Sequence, residues 1–199
     1  MFKNYATFGV GNYGTFIGEL FVNHDLNNTD YVGGMFRHHS SEGGIKNVAL
    51  ENRFFDTSLD LMYGSNQKDV SYNVDLGYQN QIYNWYGLPA NFDSTLINGI
   101  NPQQTYGTIS LGGNVTLNES ILNKASLKYN HFSDASGSSE NRFYAKPTVE
   151  FDVMDSAVKT NIIVDYVGGS FKNNYLNTNT TRVKYGFTNF GIVPSFVMQ

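Results

Sequence analysis

Arg142, Lys146, Glu150 and Asp152 share one parity in the segment Asn141 to Val153. Residues of one parity in an extended chain project to one face, so four charges of both signs stand in a row there. Glu19, Asp56, Asp60, Asp75, Lys128, Lys159 and Asp165 hold the corresponding polar parity in other segments. Such residues suit a hydrated wall that selects solutes by charge, or an ion-pair ladder between neighbouring strands. Groups for bond-making chemistry are scarce. The chain has no cysteine, which excludes disulfides, thiolate metal sites and cysteine nucleophiles. His38 and His39 are adjacent, and a strand sends them to opposite faces, so regular β geometry does not let them chelate one metal. His24 and His131 stand alone. His131 and Ser133 lie two apart on one face, the beginning of a Ser–His pair, but no GxSxG elbow is present. No catalytic residue, metal site or cofactor is expected. Trp85 and Tyr86, in NWYGLPANF, fall on a loop. Exposed aromatics there either stack on a ligand such as a sugar or pack the loop against its neighbours.

The elements that hold these charges are legible as period-two segments. In DVSYNVDLGYQNQIY, Asp69 to Tyr83, the residues Val70, Tyr72, Val74, Leu76 and Tyr78 fall on one side. Ser71, Asn73, Asp75, Gly77 and Gln79 fall on the other, as in a strand with one apolar and one polar face. The same sorting recurs in Gly14 to Asp25, Phe55 to Tyr63, Gln104 to Leu117, Lys124 to His131, Asn141 to Val153 and Val158 to Gly168. It is weaker in Asp30 to His39, and Tyr5 to Val10 opens the series. Arg182 to Met198 is β-rich without a clear register, and Pro194 argues against a central strand there. The count is about ten strands, with ends good to a few residues.

Composition agrees with an all-β chain. Aromatics make up 15% of the 199 residues, with 14 Tyr and 15 Phe, while charged residues reach only 15%. Tyr and Phe favour strands. The mean hydropathy is −0.34, and no apolar run approaches the roughly 18 residues of a membrane helix. A membrane barrel needs only alternate residues to be apolar, so its mean hydropathy resembles that of a soluble protein. The net charge of −4 argues against nucleic acid as a partner.

Short polar turns near Asn27, Asn66, Asn118 and Asp155 alternate with longer connections at Ser40 to Val48, Asn84 to Gln103, Ser133 to Glu140 and Ser170 to Thr181. ASGSSE, Ala135 to Glu140, reads as flexible. Short turns on one rim and long loops on the other are the layout of an outer-membrane barrel. Tyrosines on the apolar parity near strand ends, Tyr63, Tyr72, Tyr78, Tyr129 and Tyr166, match its interfacial girdles. The expectation is an antiparallel up-and-down transmembrane β-barrel, a single unit over 1–199, with lipid against one face and a polar lumen behind the other. The opening MFKNYATFGVGNYG lacks the apolar core of a signal peptide, as in an internal piece of a longer chain. The alternative is a soluble or surface-attached β-sandwich for adhesion or carbohydrate binding, which requires Val70, Val74, Leu76, Val149 and Phe151 to be buried in a core.

Three phrases, GVGNYG at Gly9 to Gly14, FRHHSSEGGIK at Phe36 to Lys46 and YNWYGLP at Tyr83 to Pro89, occur together. As a set they resemble the β-barrel region of TonB-dependent-receptor-like outer-membrane proteins of Bacteroidetes-type bacteria. The resemblance implies a bacterial outer-membrane location and a transport or receptor function for a small solute. It also implies a plug domain and the TonB system as partners of the parent protein, and neither a plug nor a TonB-engaging box is visible within this sequence.

Overall fold

Each period-two segment becomes a strand in the computed structural model, which describes residues 4–88, 101–153, 156–172 and 182–198. The strands are β1 (Asn4–Gly11), β2 (Thr15–Asp25), β3 (Asp30–Ser41), β4 (Phe54–Asn66), β5 (Val70–Asn84), β6 (Gln103–Leu117), β7 (Leu122–Asp134), β8 (Ser139–Val153), β9 (Ser156–Lys172) and β10 (Arg182–Met198). They form one sheet in sequence order, every neighbouring pair antiparallel. β1 pairs only with β2 and β10 only with β9, so the sheet is open at both edges. The one helical element among the described residues is a single 3-10 turn, Asn12–Gly14, between β1 and β2.

Antiparallel pairing keeps directly opposed residues on the same face, so the register tells which side chains travel together. Leu61, Leu76 and Leu111 are successive partners across β4, β5 and β6. Tyr129, Phe143 and Tyr166 are successive partners across β7, β8 and β9. The apolar parities of all these strands thus merge into one apolar face. A one-residue slip anywhere would turn a whole strand over, so the agreement of every pairing fixes the register.

That face is not covered. Among the described residues Val158, 8% exposed, is the one buried large apolar residue, whereas Leu20, Leu61, Val74, Leu76, Leu111 and Leu127 are all exposed. A β-sandwich needs these side chains inside. Instead Leu76 is 47% and Phe151 44% exposed, Val70 and Val149 are only half-buried, and no second sheet lies on them among the described residues.

Two prolines mark where the ladder yields, because proline has no N–H to donate. Pro194 lies in the edge strand β10, where its missing donor leaves no central ladder broken. Pro147 lies inside β8. The β8–β9 pairs run to Ala145 and Val164 and resume at Thr148 and Asn161, and on the other side Asn123 is bulged out between Leu122 and Lys124.

Candidate functional site

All eleven charged residues singled out from parity, Glu19, Asp56, Asp60, Asp75, Lys128, Arg142, Lys146, Glu150, Asp152, Lys159 and Asp165, stand on the second face of the sheet. Lys159 lies directly opposite Glu150. The same pairings bring them into cross-strand networks. Arg37 donates from Nη2 to Asp60 Oδ2 at 3.0 Å and from Nε to Ser58 at 3.2 Å. Asp56 accepts from both Gln79 and Gln81 at 3.0 Å. Arg142 grips Asp165 with two donors, at 2.9 and 2.6 Å, the planar fork that guanidinium and carboxylate form best. Lys159 meets Glu150 at 3.0 Å. Asn73, Asn114, Ser126 and Asp75 continue the network over β5 to β7.

The polar face is hollow as well as polar. One depression of about 510 Å³ reaches from Phe21 on β2 to Tyr144 on β8. Its floor includes Gly33, Gly77 and Gly112, where a side chain would otherwise stand. A Cβ on Gly77 would meet the Ser110 hydroxyl at 2.4 Å, so the absence of a side chain there keeps the hollow open. A second depression of about 510 Å³ is lined by Glu19, Arg37, His39, Asp56, Asp60 and Gln79. An apolar group on the same face escaped parity reasoning. Tyr5 stacks on Phe21 at 5.7 Å, beside Met35, and Phe171 stacks on Tyr185 at 5.3 Å near the other edge. The weak alternation of β3 was the signal for the first group and the unclear register of β10 for the second.

The histidines separate as the strand geometry requires. His38 bonds Thr57 at 2.7 Å and Ser40 at 3.0 Å, while His39 turns the other way and meets the edge of Phe54 at 4.9 Å. His131 Nδ1 bonds Asn141 Oδ1 at 2.8 Å, and that oxygen also accepts from Tyr129 at 2.7 Å. His131 thus engages an amide oxygen, at the edge of the apolar band. No group of three or more potential metal ligands gathers among the described residues.

The loop-end rim is built more tightly than its composition implies. The small polar residues of ASGSSE predict a flexible segment within a long loop, but β7 runs to Asp134 and β8 starts at Ser139. Asp134 caps the turn by accepting the Ser138 N–H at 2.7 Å, and Gly137 supplies the positive φ of 82° that the reversal demands. Two of the quoted phrases meet at the same end. The Tyr13 ring lies where a Cβ on Gly44 would stand, and Glu42 donates its backbone N–H to Tyr13 at 3.0 Å. Trp85 and Tyr86 follow β5 at this end, and Trp85 is 54% exposed. Residues 89–100 of their loop lie outside the described residues.

No family model, curated protein or solved structure matches the chain.

Proposed function

We propose that the chain forms part of the wall of a bacterial outer-membrane β-barrel in a transport or receptor protein. Its apolar face meets lipid, and its polar face lines a wet lumen in which a small solute binds or passes. The observation that carries this reading is the exposed apolar face, continuous over the sheet and bounded by aromatic and then polar rows. On β5 the band runs from Val70 to Tyr78 and gives way to Asn80. Those nine residues match the 9–11 that cross a bilayer as a tilted strand. Tyr63 and Tyr72 edge it at the short-turn end, and Tyr78, Tyr129, Phe143 and Tyr166 at the other. Beyond the second row stand His131, Asn141 and Gly168, then Ser133, Ser139 and Ser170. This is the sequence of environments from hydrocarbon through interface to water.

A soluble sheet with this much uncovered apolar surface would need a partner, since exposed apolar patches on monomers seldom exceed a few hundred Å². Lipid provides one without a second protein layer. In this reading the free edges of β1 and β10 join further strands of the parent barrel, because bilayer hydrocarbon leaves unpaired backbone groups unsatisfied. The TonB-dependent-receptor-like resemblance adds a plug domain and the TonB system as partners of the parent protein. No helix among the described residues is long and apolar enough to cross a membrane, which says nothing of crossing by strands.

Refolding from urea tests the reading. In maltoside micelles or vesicles the chain takes up β circular dichroism and migrates differently in gels when unheated. In detergent-free buffer it does neither. A folded monomer in plain buffer overturns the proposal.

A further inference from the structure

Of the basic residues on the polar face, Arg37, Arg142 and Lys159 each hold a carboxylate. Lys124, Lys128 and Lys146 have no ion pair among the described residues. The three are neighbours. Lys124 and Lys128 flank Ser126 along β7, and Ser126 pairs directly with Lys146 on β8. Each β7 lysine is therefore a diagonal neighbour of Lys146, at a backbone spacing of roughly 7–8 Å. Like charges so placed repel one another, and the nearby acids offset them only in part: the two that hold no cation among the described residues, Asp75 and Asp152, lie respectively one strand further off and nearer the β8–β9 turn. Asp165 is held by Arg142 and Glu150 by Lys159. Asp75 lies across Gly112 from Lys128, and its Oδ2 accepts from Asn73 at 2.8 Å. The polar face of β6, with Thr108, Ser110, Gly112, Asn114 and Thr116, brings no charge at all.

We propose that Lys124, Lys128 and Lys146 around Ser126 form a binding site for a small phosphate-bearing solute, at the short-turn end of the polar face. This rests on the reading of that face as a wet lumen. A hollow of about 270 Å³ there is lined by Lys124, Ser126, Lys146 and Lys159 among others, and Lys128 stands beyond Ser126, in the lining of the larger depression that Ser126 also borders. Lysine suits a multivalent oxyanion, because a compact ammonium on a flexible stem approaches phosphate from many directions. A bound dianion replaces mutual repulsion with three attractions, whereas a neutral solute leaves the repulsion in place. The overall charge of −4 makes a basic group offset only in part exceptional in this chain. The group stands on the face opposite the lipid-facing one, so its phosphate belongs to a free solute and not to a lipid headgroup.

Calorimetric titration of inorganic pyrophosphate into the full chain, refolded in phosphate-free maltoside micelles, tests the site. Saturable one-to-one binding is expected, weakened about tenfold by Lys124→Gln or Lys146→Gln, as for the loss of one charge-assisted contact. The double variant loses binding, and Lys68→Gln, in the β4–β5 turn, leaves it unchanged. Each variant is checked for retained β circular dichroism. Absence of binding in the parent chain, or equal weakening by Lys68→Gln, overturns the site while the membrane reading stands. Competition by phosphatidic acid in the micelles, with no binding in its absence, assigns the phosphate to lipid and also overturns it. A chain that takes no β fold in micelles fails the membrane reading itself.

Discussion

In the proposed reading a single side chain on this sheet belongs to one of two solvents, and its parity decides which. Leu76 and Gln79 lie three residues apart on β5, one on each face. If the apolar face meets lipid, Leu76→Lys puts an ammonium near the middle of the hydrocarbon and is expected to cost about 2–4 kcal/mol of folding free energy in bilayers. Gln79→Lys faces the hollow, where Asp56 is within reach of the native amide, and is expected to change stability by less than about 0.5 kcal/mol, as at other watered positions. Urea titration in vesicles, followed by the fluorescence of Trp85, reads both. Similar costs for the two substitutions would mean that the faces do not differ in solvent. The eleven charged residues singled out on the polar face were legible for the same reason, since period-two geometry leaves no other place for them. Their partners were not. Which carboxylate Arg142 grips depends on the register between β8 and β9, and parity within one strand carries no register.

At the scale of the strand, close backbone approach is set by glycine. A Cβ on Gly169 would stand 2.4 Å from the Ser139 carbonyl oxygen, and one on Gly113 would stand 2.7 Å from that of Asn73. Both neighbours are backbone atoms within ladders and cannot swing aside. Gly169→Ala and Gly113→Ala are therefore expected to destabilise the sheet by about 1–3 kcal/mol, the usual cost of overpacking. Gly9→Ala meets only Ile17 at 3.9 Å and is expected to be near neutral. Urea midpoints in micelles give the comparison, and an equal effect at Gly9 would contradict it. Strand existence was visible in alternation because one face is apolar throughout β4 to β9. Strand ends were not, since β4 continues through Gly64, Ser65 and Asn66 on ladder pairing with β5 rather than on any apolar pattern. The turn after Asp134 was misread for a related reason. Small polar residues look alike in a flexible loop and in a tight reversal, and only the Asp134 cap and the Gly137 conformation tell them apart. In β10 alternation fails outright, with Val183, Phe187 and Val193 on one face and Phe190, Ile192 and Phe196 on the other, all exposed.

For the molecule as a whole, the two faces divide the work of stability and of recognition. In the proposed reading the apolar face contributes stability only where lipid or detergent covers it, so the fold depends on its solvent. The polar face carries charge unevenly. On β2 to β5 the acids Glu19, Asp56, Asp60 and Asp75 stand with one arginine, Arg37, whereas on β7 to β9 Glu140, Glu150, Asp152 and Asp165 stand with Lys124, Lys128, Lys146, Lys159 and Arg142. An uncharged β6 separates the two groups. Ten antiparallel up-and-down strands with these faces were foreseeable from strand count and parity, whereas the expected barrel is not closed within these strands, because closure depends on what the edges of β1 and β10 meet. The central claim is that the apolar face touches lipid. The absence of cysteine allows nitroxide labels to be placed singly along β5, from Ser71 to Gln79, and their collision rates with oxygen and with a water-soluble nickel chelate to be measured in vesicles. Labels at Tyr72, Val74, Leu76 and Tyr78 should be reached by oxygen and not by nickel, and labels at Ser71, Asn73, Asp75 and Gln79 by nickel, the two profiles alternating out of phase. Nickel access on both parities, or access by neither reagent at Val74 and Leu76, would contradict the account.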